Sequence, residues 1–151
     1  NRKWFISGTE STNEGLRNLW IHPGSGGVNK NLPLSEFLHL ADNWLENKTQ
    51  GEVLFSFGEA DLNLQNEFSK LSFSKTSRVK TKLFTSLQDL FFRLRMHDGA
   101  FVGNDSGPSH MAAMFGLETH VWFRSTSPAV WAPLGPKVKI YQADSVPSKI
   151  L

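Results

Sequence analysis

The sequence predicts an α/β domain built on a parallel sheet with helices on both faces. Three observations predict it. Short apolar runs and amphipathic helical stretches alternate about five times along the 151 residues, the pattern of strands joined by right-handed helical crossovers. The runs Leu19–Ile21, Val53–Phe57 and Ala100–Val102 are nearly continuous in apolar character, which suits strands covered on both faces. These runs, and the alternating stretch Glu118–Phe123, end in polar or glycine-rich loops: His22–Gly27, Gly58–Asp61, Gly103–His110 and Arg124–Pro128. In such sheets ligands bind outside the carboxyl ends of the strands. Each loop is a weak signal alone; together on one edge they point to a site for a phosphorylated ligand.

Composition narrows the reading. The length fits one domain, and 39% hydrophobic with 20% charged residues is ordinary for a globular one. There is no cysteine, hence no disulfide framework, no thiolate nucleophile and no cysteine-held metal. No apolar run approaches membrane-spanning length, and the start lacks a signal-peptide pattern. The net charge of +2 and pI near 9.0 are a mild basic excess, compatible with anionic ligands or an anionic membrane surface. No block of like charges argues for nucleic acid.

Taken in order, residues 1–18 read as a linker or amino-terminal remnant, with Trp4, Phe5 and Ile6 as a short strand at most. The chain begins without Met, which raises the expectation of a fragment of something longer. The ordered domain is expected over 19–143 and a frayed tail over 144–151. The first strand, Leu19–Ile21, runs into His22-Pro-Gly-Ser-Gly-Gly27, whose bare amides could nest an anion, with Lys30 just beyond. The turn is no P-loop, because the second glycine before the lysine is missing and Asn31 replaces Ser/Thr. A purely structural turn is the competing reading.

Ser35 is expected to cap a helix to about Asn47, with Phe37, Leu40, Ala41, Trp44 and Leu45 on its buried face and His39 outside. After the strand Val53–Phe57, Glu59 and Asp61 either face a ligand or cap the next helix, which spans about Asp61 to Leu71. Lys70–Lys82 is basic and Ser-rich and predicts a solvated edge with a strand near Arg78–Leu83. Ser86 and Asp89 resemble a capping box for a helix to about His97, burying Leu87, Leu90, Phe91 and Leu94 and ending at Gly99. Strands Glu118–Phe123 and Val138–Tyr141 close the pattern. Trp131 between them is a candidate stacking residue, an apolar lid or plain packing.

The stretch Val102–Gly116 organises the chain. A buried strand leads through Gly-Asn-Asp-Ser-Gly into a short helix, with Pro108 suited to its first position and Gly116 to the residue past its end. The first amides of a helix lack internal partners and carry the positive end of its dipole, so an anion can sit there. Asp105 is the one fixed negative charge in the turn, better suited to hydroxyl groups, as on a sugar, than to phosphate. The competing reading is that Asp105, Ser106 and Ser109 merely cap the helix.

Hydrolytic and metal readings fail. A nucleophile elbow would need serine at position 105, where Asp105 stands. Ser106 and His110 are one helical turn apart, yet Ser106 ahead of Gly107-Pro108 reads as a cap. The five histidines show no His-x-x-x-His spacing, so no protein-bound metal is expected. His110 reads as a hydrogen-bond donor facing the loop or as a half-buried histidine.

These blocks carry a resemblance. His22-Pro-Gly-Ser-Gly-Gly27 with Lys30 and Pro33, Gly58-Glu59, Val102-Gly-Asn-Asp-Ser-Gly-Pro-Ser-His-Met-Ala-Ala113, Thr126-x-Pro128 and Trp131-x-Pro133-x-Gly135 occur in this order. The sequence resembles glycosyltransferase family 9, the lipopolysaccharide heptosyltransferases, from about Leu19 to Tyr141. The Gly103–His110 block is the specific part.

The resemblance implies a Rossmann-like, carboxyl-terminal half of a GT-B fold that holds the nucleotide-sugar donor, ADP-heptose or similar. It implies an inverting transfer to the lipopolysaccharide core acceptor with no cofactor and no metal, in the cytoplasm or peripherally at the inner face of the inner membrane. Carried over by position, Ser25, Gly26, Gly27 and Lys30 would approach the donor phosphates. Glu59 or Asp61 would face the ribose, and Asp105 would bind sugar hydroxyls. The amides of Ser106, Gly107 and Ser109 would cradle the pyrophosphate, with His110 beside them. The acceptor-binding amino-terminal domain, where the family's base is expected, is absent from this sequence. Arg124-Ser125 stands where the family commonly has Gly-Pro; Arg124 either adds a phosphate contact or fills an edge. The alternatives are a stand-alone nucleotide- or phosphate-binding module and a related GT-B sugar-nucleotide enzyme such as an epimerase.

Overall fold

The computed structural model describes residues 17–147 and 150–151. The linker expected over 1–18, with the strand at Trp4–Ile6, lies almost wholly outside the described residues.

The expected alternation is present. The strands are β1 (Asn18–His22), β2 (Val53–Gly58), β3 (Val79–Phe84), β4 (Gly99–Asn104), β5 (Glu118–Trp122) and β6 (Val138–Tyr141). The helices are α1 (Leu34–Asn47), α2 (Leu62–Ser69), α3 (Leu87–Arg95), α4 (Gly107–Met114) and the short α5 (Pro128–Trp131). All strands pair in parallel in the order β3-β2-β1-β4-β5-β6. The chain steps outward from β1 to β3, crosses back to β4, and steps outward on the other side. Right-handed crossovers then put the helices of the two halves on opposite faces.

Two cores result from the alternation of side chains along each strand. Leu19, Ile21, Phe55 and Phe57 face one side, under Phe37, Leu40, Ala41 and Trp44 of α1 and Phe68 of α2. Trp20, Phe84 and Phe101 face the other, against Leu90 and Leu94 of α3 and Ala112 of α4. Burying each large apolar side chain contributes about 1.5–3 kcal/mol. Central β4 is buried at every position. Edge strand β3 exposes Lys80, Thr81 and Lys82, and such charges discourage pairing with another sheet edge.

Several local expectations differ from the structure. Pro33, not Ser35, precedes the first residue of α1; proline presets the entry φ, and Ser35 falls within the first turn. Ser86 does cap α3 by accepting from the Asp89 amide, but the helix stops at Arg95 and Leu87 is 69% exposed, because a first-turn position lies above the sheet edge. Gly99 opens β4 instead of closing α3. Its φ is +146°, and a Cβ there would sit 1.8 Å from the Asn18 carbonyl oxygen. Helix α4 starts at Gly107, one residue before Pro108, while Gly116 (φ +76°) follows its end as expected. The tail does not fray at Asp144. Trp122 Nε1 donates to the Ser145 carbonyl, the Val146 amide donates to Glu36, and Val146 and Ile150 pack on the α1 core.

One fully buried side chain ties the sheet to its loops. Asn104, at the end of β4, accepts from the Leu32 amide at 3.1 Å and donates to the Pro23 carbonyl at 2.8 Å. It thus holds both ends of the segment that follows β1. Asn104→Ala would leave two buried backbone groups unpaired, at a cost of about 2–4 kcal/mol. Urea unfolding should register that loss, and a loss below about 1 kcal/mol would show that the clamp is dispensable.

Candidate functional site

Strands β1 and β4 are neighbours in the sheet with His22 opposite Gly103, so the loops that leave them run side by side. This is where the strand order reverses, the position at which such sheets form a crevice.

The loop after β1 is shaped by its glycines. Gly26 has φ +69°. A Cβ on Gly24 would meet the Asp61 carboxylate at 2.1 Å, so the loop passes directly over that side chain. Ser25 Oγ lies 2.9 Å from the Gly27 carbonyl and 2.5 Å from Asn31 Oδ1. The Lys30 amide donates to the Gly27 carbonyl, which aims the Lys30 side chain across to the β4 loop.

After β4 the helix start is bare. Ser106 precedes α4 without a side-chain cap. The Ser109 hydroxyl donates instead to the Asn104 carbonyl at 2.6 Å, and Ser106 Oγ lies 3.1 Å from Ser109 Oγ. Among the described residues, the amides of Ser106, Gly107 and Ser109 have no acceptor. The capping reading of Asp105, Ser106 and Ser109 therefore does not hold. A Cβ built on Gly107 meets nothing within 4 Å.

Asp105 is buried beside these amides. Its Oδ2 accepts from Lys30 Nζ at 3.2 Å and from Thr126 Oγ1 at 2.6 Å. Its Oδ1 lies 3.9 Å from His110 Nε2, too far for a hydrogen bond and wide enough for a bridging hydroxyl. Lys30 has three donors and spends one on Asp105.

Two cavities open here. The larger, about 470 Å³, is lined by His22, Phe57, Glu59, Asp61, Phe84 and Leu87 among others. The smaller, about 330 Å³, is lined by Lys30, Asp105, His110, Thr126 and Trp131. Ser25, Ser106 and Gly107 line both and form the bridge between them. Both volumes are in the range of small-molecule sites. A further groove of about 290 Å³ lies at the opposite edge of the sheet, around Trp20, Met96 and His97.

The expected site residues are mostly brought together. Gly26, Glu59 and Asp61 reach the larger cavity, and Lys30, Asp105 and His110 the smaller. Glu59 is exposed. Asp61 is a local cap: its Oδ2 accepts from the Gly58 amide at 2.8 Å. Gly27 and Ser109 sit behind the cavity walls, Ser109 fully buried. Arg124 fills an edge, donating to the Asn31 carbonyl at 2.6 Å and to Asp144 at 3.1 Å. Asn104, Thr126 and the Phe84–Leu87 rim were not foreseen as site residues. The polar pair Thr85-Ser86 at the end of β3 was the available signal for the rim.

Beneath the larger cavity runs a buried polar chain. Trp20 Nε1 donates to Ser56 Oγ at 2.7 Å, Ser56 Oγ lies 2.8 Å from His22 Nδ1, and His22 Nε2 lies 3.6 Å from Asp61 Oδ2. Burial pushes His22 down to about 4, against the opposing pulls of Asp61 and Ser56. His22 is thus neutral near pH 7. Among the described residues no cluster of three His, Asp or Glu is placed to hold a metal ion. Among them, too, no helix is long and apolar enough to cross a membrane.

The fold and the glycine-lined crevice at its switch point define a Rossmann-like domain of the kind that forms one half of GT-B glycosyltransferases. The chain belongs to glycosyltransferase family 9 (heptosyltransferase), whose family model matches residues 8–149. None of the curated proteins matches it in sequence. Among solved structures it is similar to the ADP-heptose LPS heptosyltransferase II of E. coli, with TM-score 0.72 and 20% identity over 87% of this chain and 41% of that one. It is similar to E. coli heptosyltransferase WaaC with ADP, with TM-score 0.68 and 14% identity over 93% and 41%. It is also similar to the family 9 glycosyltransferase of Veillonella parvula, with TM-score 0.66 and 18% identity over 88% and 36%. The chain thus spans about two fifths of the length of these proteins.

Because the unfolded chain protonates His22 near 6.5 and the folded one near 4, the stability that neutral His22 contributes is present above pH 6.5. It is lost as the pH falls toward 4. The loss amounts to roughly 3 kcal/mol over that window. Burial lowers His97 and His120 as well, so the comparison is between the native chain and His22→Gln. The variant's stability should fall less steeply with acid. Parallel pH curves from urea unfolding would contradict the assignment.

Proposed function

We propose that this chain is the donor-binding half of an inverting glycosyltransferase that uses ADP-heptose or a closely similar nucleotide-sugar, acting on the lipopolysaccharide core. The carrying observation is the uncapped start of α4, where Ser106 and Gly107 present amides without acceptors between the two cavities that both of them line. Family membership supports the reading, as does the resemblance to solved proteins whose names include an ADP-heptose LPS heptosyltransferase and a heptosyltransferase with ADP.

In this reading the nucleoside lies in the larger cavity, with Glu59 at its rim toward the ribose. The diphosphate crosses the bridge at Ser25, Ser106 and Gly107. The sugar enters the smaller cavity, where one hydroxyl spans Asp105 Oδ1 and His110 Nε2. As the bond from the anomeric carbon to the diphosphate oxygen breaks, negative charge grows on the departing nucleoside diphosphate. The fixed amides and the two spare donors of Lys30 then bind that charge more strongly than they bind the intact donor. One such donor is worth on the order of 3 kcal/mol. The acceptor oxygen bonds to the anomeric carbon from the side opposite the leaving group, and its proton passes to a carboxylate on the other half of the enzyme. The domain works in the cytoplasm, against the inner face of the membrane that carries the acceptor.

Titration with ADP, followed by amide NMR, should shift the Gly107 and Ser109 resonances saturably. Gly107→Val adds a side chain to open space, so it should keep the native unfolding curve and weaken ADP by about tenfold or more, as expected for loss of one good phosphate contact. A folded protein with no saturable shift at millimolar ADP would overturn the proposal.

A further inference from the structure

We propose that Trp131 is a specificity-determining residue for the sugar of the donor, its indole supplying the apolar platform of the smaller cavity. The inference rests on the donor-site reading above and goes beyond the phosphate cradle. Trp131 lines the cavity whose walls also include Lys30, Asp105, His110 and Thr126. Those residues offer charge and hydrogen bonds, which suit hydroxyl groups. Trp131 is the one large apolar side chain among the residues that line this cavity. A sugar ring has both kinds of surface: hydroxyls around its rim and a face of C–H groups. A site that pairs a carboxylate with an indole can satisfy both at once, because an aromatic side chain offers a large apolar area at low conformational cost.

The indole is carried on a backbone held at both ends. The amides of Val130 and Trp131 donate to the Ser127 carbonyl, and that of Ala132 to Pro128. Just ahead of this turn, Thr126 bonds Asp105 at 2.6 Å, which fixes the turn relative to the carboxylate. Beyond it, a Cβ on Gly135 would be 2.4 Å from the Ala113 carbonyl oxygen, so the chain is pressed against α4. Trp131 itself is 57% exposed and outside both core clusters. Its ring is therefore available to a ligand, and removing it leaves the core intact.

The proposal predicts a split between two ligands that differ only in the sugar. Calorimetric titration of Trp131→Ala should give ADP affinity within about twofold of the native chain, and ADP-heptose affinity lower by about tenfold, the size of one lost aromatic contact. Trp131→Phe should restore most of the difference. The indole N–H resonance missing from the Trp131→Phe spectrum should shift with ADP-heptose and stay in place with ADP. Equal weakening of both ligands, or unchanged binding of both, would overturn the assignment. So would a native chain that binds ADP and ADP-heptose with the same affinity. If the native chain binds neither, the donor-site reading fails and this inference falls with it.

Discussion

The site depends on a single buried amide. Asn104 stands where β4 ends, fully buried, and its side chain bonds backbone on both arms of the segment that follows β1. The backbone groups it satisfies would otherwise be buried without partners, so the arrangement is held by desolvation as much as by attraction. Its own carbonyl accepts from Ser109, which keeps that hydroxyl off the helix amides. The same residue therefore positions Lys30 through the first loop and leaves the start of α4 uncapped through the second.

Charge is arranged around that bare helix start with little net acid. Asp105 would repel a phosphate if its carboxylate were free. It is not free: Lys30 and Thr126 both sit on Oδ2, and only Oδ1 faces His110 across 3.9 Å. Lys30 is 37% exposed, so this pair is partly screened and its stabilising value modest. Its value lies in geometry, because together with the Thr126 bond it draws in three loops that come from different strands. Under the larger cavity, neutral His22 separates Ser56 from Asp61 and fills the floor without adding charge.

The fold was legible because its signals are strong and redundant. Near-continuous apolar runs at Leu19, Val53 and Ala100 can only be satisfied by a sheet covered twice, and the right-handed rule then sets the faces. The Gly103–His110 block identified the family and its loop. What stayed hidden were contacts between residues far apart in sequence. Asn104 looked like one polar residue in a polar turn, and its partners Pro23 and Leu32 belong to another loop. The sequence places Lys30 toward the donor phosphates but does not show its bond to Asp105, a contact that exists only once β1 and β4 are paired. Glu59 and Asp61 could not be separated by sequence; the structure gives Asp61 to the Gly58 amide and leaves Glu59 outside. Leu87 has the spacing of a core residue but lies on the first turn of α3, above the sheet edge, where it becomes cavity wall instead.

The central claim is that the uncapped start of α4 receives a diphosphate. A crystal structure of this chain with ADP tests it most directly. The account predicts β-phosphate oxygens about 2.7–3.2 Å from the Ser106 and Gly107 amide nitrogens, with the nucleoside beside Phe57 and Phe84. ADP bound instead in the opposite groove around Trp20 and His97, or at the crevice without contact to those amides, would contradict it.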